Sequence, residues 1–265
     1  MIAVSERNSR ENRRRALQEA RQADQRRKRR LRLAAWGGAV VVVAGAGLGL
    51  GLGLSGSNTA SGAVSATPGN PASFGPLSSL GTLTAAPPPG SLGPESVPIP
   101  SVPALAGPSA ATTGQTIDGI GCQTNEQTVF HIHTHLTIFV NGQQRQVPAG
   151  IGIPNAVAQQ TPAGPFVDSG TCFYWLHTHA ADGIIHIESP VQRTYTLGEF
   201  FDEWRQPLGP TQVGSAHGKV TVIVNGQVFK GNPRAVPLGS HENLQVEVGT
   251  PLVSPETINW SSTGL

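Results

Sequence analysis

The sequence predicts a mainly β domain, a small sandwich or open barrel with one short helix, preceded by a transmembrane helix and a disordered stalk. Three observations carry this. An uncharged apolar run, Leu33 to Leu54, sits directly behind a cluster of basic residues. Residues 55–115 are almost wholly Gly, Ser, Ala, Thr and Pro. In residues 116–265, apolar positions alternate with period two between Asn-Gly turns.

Charge divides the 265-residue chain. Residues 1–32 hold twelve of its eighteen Lys and Arg with four acids, and the remainder holds six basic and twelve acidic residues. The apolar run of 22 residues would extend roughly 33 Å as a helix, against a hydrocarbon core of about 30 Å. Basic residues before it, among them Arg26, Arg27, Lys28, Arg29 and Arg30, orient the chain by the positive-inside rule. The expectation is a single-pass protein of the cell membrane, with residues 1–32 as a cytoplasmic tail, 33–54 spanning and the C-terminal domain extracytoplasmic. The small residues ending at Ala66 leave a cleaved export signal as the competing reading. Nucleic acid is not an expected partner of the basic tail. Charges beside a membrane span are explained by topology and anionic headgroups, and no aromatic residues interleave with them to stack on bases.

Residues 55–115 read as a disordered linker with one charge, Glu95, and one aromatic, Phe74. Prolines at 87–89, 98, 100 and 103 favour extended polyproline-like backbone, which would reach on the order of 190 Å at full length. The folded domain is then 116–265. It contains both cysteines, Cys122 and Cys172, and all eight histidines. Outside the membrane the compartment is oxidising, so the two cysteines are expected to form a disulfide.

Within that domain, VFHIHTHLTIFV (129–140) reads as a strand with Phe130, Ile132, Leu136, Ile138 and Val140 on one face and His131, His133 and His135 on the other. Asn141-Gly142 turns it into a return strand at 143–147. A second pair is expected at 172–178 and 184–188, joined across Ala180-Ala181-Asp182-Gly183. Thr196 and Glu199 have capping-box spacing, and Leu197, Phe200, Phe201 and Trp204 give one helix an apolar face. Further strands are read at 219–224, 227–230 and 244–248. LTIFVNGQ (136–143) and VTVIVNGQ (220–227) share five identities at an offset of 84 residues that sets His217 against His133. Duplicated halves and repeated hairpin chemistry both account for this.

Six histidines crowd residues 131–186, as HIHTHL and WLHTHAADGIIHIESP. Residues i and i+2 of a strand point the same way with α-carbons about 6.6 Å apart, so an H-x-H pair can converge on one metal ion. The metal-ligand candidates are His131, His133, His135, His177, His179 and His186. Glu188 and Asp182 are the candidate general bases if the site is catalytic. Imidazole suits zinc and copper alike, and the single methionine, Met1, leaves no thioether copper chemistry. The spacing does not match the H-x-H-x-D-H order of metallo-β-lactamase-type hydrolases, because Asp182 falls one residue late and no histidine follows it. A serine or cysteine nucleophile arrangement and a glycine-rich phosphate loop are also missing. The whole pattern resembles a set of membrane-anchored or secreted bacterial proteins that share the HxHxHL strand, the WLHTH…GIIHIESP block and the TLGEFFDEW helix. That resemblance covers residues 120–250 and implies kinship and location, with no established activity.

The functional expectation is an extracytoplasmic domain that binds zinc or copper, with hydrolysis open to a metal-bound water. The alternative, from a different class, is a non-catalytic binding or adhesion module displayed on a stalk for a cell-envelope partner.

Overall fold

The computed structural model describes residues 73–108 and 113–265. The basic tail, the apolar run 33–54 and stalk residues 55–72 lie outside the described residues, as do 109–112. Among the described residues, no helix is long and apolar enough to cross a membrane.

The described region is mainly β. Eight strands form one mixed sheet: β1 (Ser73–Pro76), β2 (Phe130–Val140), β3 (Gln143–Arg145), β4 (Leu176–His177), β5 (Ile184–Ser189), β6 (Val220–Val224), β7 (Gln227–Lys230) and β8 (Glu242–Val248). Their order is β1-β7-β6-β8-β2-β5-β4, with β3 beside the C-terminal end of β2. β8 and β2 pair in parallel, and the other pairings are antiparallel. Both Asn-Gly turns form as expected, with positive φ at Asn141, Gly142, Asn225 and Gly226, the backbone that a tight hairpin following strand twist requires.

The predicted parity of β2 holds. Ile132, Leu136, Ile138 and Val140 join the apolar core through Ile187, Leu244, Val246 and Val248 on the neighbouring strands. Helix α1 (Leu197–Glu203) closes this face with Phe200, Phe201 and Trp204, all fully buried. Its capping box is complete: Glu199 N–H donates to Thr196 Oγ1 at 3.3 Å, and Thr196 N–H donates to Glu199 Oε2 at 2.7 Å. Core is therefore the role of these aromatics. A second, one-turn helix, α2 (Trp260–Thr263), has no counterpart in the sequence expectations. Cys122 and Cys172 are bonded, tying the ribbon Cys122–Gln123 to Phe173–Tyr174 just ahead of β4.

Residues 73–108, read above as part of the disordered linker, instead lie along the domain. β1 pairs with β7, Leu105 N–H donates to Gln146 O at 3.0 Å, and Trp204 Nε1–H donates to Gly107 O at 2.9 Å. Val97 is fully buried and Glu95 nearly so. Pairing within the segment is limited to Ser91–Leu92 against Pro98–Ile99, because prolines lack the N–H that a longer ladder needs. Its carbonyls still accept from the domain, as Pro103 O does from Gln146 N–H, and composition carries no trace of a surface that the segment can borrow.

Candidate metal centre

The sheet face opposite the core carries the histidines. Directly opposed residues share a face, and register sets His177 against His186 and His186 against His133, a row of three imidazoles across β4, β5 and β2. One step along, Glu188 lies against His131. His179 follows β4 and returns to the same face, because Thr178 between the two histidines is held the other way: its Oγ1–H donates to Pro148 O at 2.8 Å and accepts from Ile151 N–H at 3.1 Å. Gly183 makes the turn into β5 possible, since its φ is +85° and a Cβ there would lie 2.3 Å from Leu136 O.

The structure brings His131, His133, His177, His179, His186 and Glu188 together. Their donor atoms fall into two sets, His131, His133, His186 and Glu188 in one and His177, His179, His186 and Glu188 in the other. Within each set the atoms lie within 4.8 Å of one another. His131 Nε2 and His133 Nε2 are 3.0 Å apart, and His177 Nε2 and His179 Nε2 are 3.1 Å apart. His131 Nε2 stands 2.9 Å from Glu188 Oε1, and His186 Nδ1 stands 3.4 Å from it. His131 is 40% exposed, and the cluster opens there into a cavity of about 800 Å³. The remaining members are buried.

Proton positions follow from the partners. A carbonyl only accepts, so His177 carries its proton on Nδ1, which donates to Tyr174 O at 2.8 Å. His179 Nδ1–H likewise donates to Val167 O. Burial, then the neighbouring His179 and His186, pushes His177 well below the ordinary histidine range. Burial and His186 lower His179, and burial followed by His186 and His131 takes His133 down to about 3. These rings are neutral at neutral pH. Burial alone would lower His186 too, but the carboxylates of Glu188 and Glu95 on either side of the ring outweigh it and raise it to about 9. Burial would raise Glu188, yet the His131 and His186 rings beside its carboxylate hold it well below the usual carboxylate range.

The structure does not bring His135 and Asp182 into the cluster, and neither set of donor atoms includes them. His135 Nε2–H donates to Asp182 O at 3.0 Å, and Asp182 Oδ1 accepts from Ile184 N–H at 3.1 Å. Both residues line a separate cavity with Arg145, Gln144 and Glu256. Burial, then the charge of Glu95, pushes Asp182 well above its ordinary range. The parity of β2 points His135 to the histidine face, but its partner on β5 is Ile184 rather than a donor. His217, set against His133 by the octet offset, is exposed and lies outside both sets.

Two residues at the site escape sequence reasoning. Glu95 Oε1 lies 2.6 Å from His186 Nε2, and its only signal is that it is the single charge in residues 55–115. Glu126 Oε1 lies 3.4 Å from His179 Nε2, with nothing in its sequence surroundings to mark it.

Five imidazoles and a carboxylate around one opening form a nitrogen-rich donor set of the kind transition metals take, and this buried His/Glu cluster could hold a metal ion. No family model matches the chain, and neither do any curated protein or solved structure.

Proposed function

We propose that this protein is anchored in the cell membrane by residues 33–54 and displays outside it a histidine-rich β domain that binds a transition metal, zinc or copper. One observation carries the metal reading. His177 and His179 hold their protons on Nδ1, so their Nε2 lone pairs face each other at 3.1 Å. Two buried lone pairs at that distance repel unless a cation lies between them. Nitrogens about 2.1 Å from a common ion are separated by roughly 3.0 to 3.4 Å at angles between square and tetrahedral. The backbone carbonyls on Nδ1 supply the orienting contacts that ligating histidines use.

The donor set is nitrogen and oxygen only, because both cysteines are bridged. That suits zinc and copper(II) equally. The opening at His131 gives solvent access to the cluster, which a hydrolytic role would need for a bound water with Glu188 beside it. The anchor, with its basic flank and the disulfide beyond it, supports extracytoplasmic display.

The test is metal content by mass spectrometry on the full chain, purified without a histidine tag, beside a His177→Ala, His179→Ala variant. Bound zinc or copper in the wild type, with a marked loss in the variant, is expected. A folded wild type that stays empty after incubation with either ion would remove the metal reading and favour a stalk-displayed binding module without one.

A further inference from the structure

Two chelating pairs stand on opposite sides of β5. His131 and His133 come from β2, while His177 ends β4 and His179 follows it. The spacing within each pair is nearly the same, 3.0 and 3.1 Å between Nε2 atoms, and each alone fits two ligands of one ion. The six donors do not form a single group: only His186 and Glu188, both on β5, belong to both sets. Strands two apart are separated by about 9.6 Å at the backbone, so the two pairs define two stations rather than one.

Glu188 lies between those stations. Its Oε1 faces His131 and His186, while its Oε2 is buried with no hydrogen-bond partner among the described residues. An orphaned carboxylate oxygen in a buried site costs free energy unless something outside the protein's own donors meets it. Nearby, His186 Nδ1 is also buried without a hydrogen-bond partner, and Glu95 holds the opposite nitrogen. The ring is therefore oriented to present Nδ1 beside Glu188.

Resting on the metal reading above, we infer that the cluster binds two ions, with the Glu188 carboxylate bridging them. His131 and His133 hold one, His177 and His179 hold the other, and His186 completes one of the two shells. Ions sharing a bridging carboxylate stand about 3.5 to 4 Å apart, and the anion between them offsets their mutual repulsion.

The experiment is a titration of the full chain with Cu²⁺, followed by total bound copper and by electron paramagnetic resonance. Two equivalents are expected in the wild type, with a resonance intensity at saturation well below that of two isolated Cu²⁺ ions because the pair is magnetically coupled. His131→Ala with His133→Ala should retain one equivalent, as should His177→Ala with His179→Ala, and each should show an uncoupled signal. Because His131 is partly exposed, the single variant His131→Ala preserves the fold and should still weaken the second equivalent about tenfold or more. Saturation of the wild type at one equivalent overturns the two-ion arrangement and leaves the metal reading standing. Two equivalents with full, uncoupled intensity overturn the bridge. No copper uptake, repeated with Zn²⁺, removes the metal reading itself.

Discussion

Glu95 Oε1 lies 2.6 Å from His186 Nε2 although the two residues are 91 positions apart. One comes from a proline-rich segment and the other from a fully buried strand. The contact makes that segment part of the site, because it fixes which nitrogen of His186 faces Glu188.

From this contact follows the first prediction. Groups that orient a ligating histidine through its distal nitrogen are worth about 10 to 100-fold in metal affinity. Glu95→Ala should weaken metal binding by that factor, read by competition with a chromophoric chelator. The far-ultraviolet circular dichroism should be unchanged, because the sheet is built from other residues. An unaltered affinity would make Glu95 a structural residue only.

His135 gives the second prediction. The sequence places it with His131 and His133, but its Nε2 is committed to Asp182 O and its ring packs beside Gly183. Replacement His135→Gln should leave metal stoichiometry unchanged. It should lower stability by about 1–3 kcal/mol, the cost of disturbing a buried hydrogen bond, read by denaturant unfolding. Loss of one metal equivalent would return His135 to the ligand set.

A third prediction concerns the disulfide. Cys122 and Cys172 close a loop with a sequence separation of 50, which constrains the denatured chain by roughly 4 kcal/mol. Cys172 also lies five residues before His177, on the segment that places the second chelating pair. The paired variant Cys122→Ser, Cys172→Ser should lose about 3–4 kcal/mol in urea unfolding. Equal midpoints for the bridged and unbridged proteins would contradict this.

What could be read in advance was local. Period-two alternation in β2, the two Asn-Gly turns and the Thr196/Glu199 box each depend on a few adjacent residues, and each forms as expected. The candidate histidines were legible for the same reason, since i and i+2 spacing decides a face. Strand neighbours were not. That β8 inserts beside β2 in parallel, or that β5 offers His186 and Glu188 to both chelating pairs, depends on pairings between distant segments that no local pattern encodes. Residues 73–108 read as linker because composition measures whether a segment can fold alone, not whether a completed sheet has an edge and a groove for it. Asp182 is a candidate base on sequence alone, whereas in the fold its Oδ1 caps the turn into β5 through Ile184 N–H.

The last prediction is a pH effect away from the metal cluster. Glu203 is fully buried at the end of α1, and neither carboxylate oxygen has a hydrogen-bond partner among the described residues. Burial first, then the charges of Glu199 and Asp118, pushes its pKa well above the ordinary glutamate value. The folded state therefore keeps a proton that the unfolded chain has already released above about pH 4.3. With more protons bound in the folded state, stability falls as pH rises from the unfolded pKa toward the folded one. Glu203→Gln keeps the shape and removes the ionisation. At pH 4 the variant and wild type should unfold alike, and at pH 7 to 8 the variant should be more stable by about 1–3 kcal/mol. For a domain of this size that is roughly 2–4 °C in Tm for each kcal/mol. Thermal unfolding of both proteins across that range decides it, and parallel pH profiles would mean that Glu203 finds water or a donor in solution.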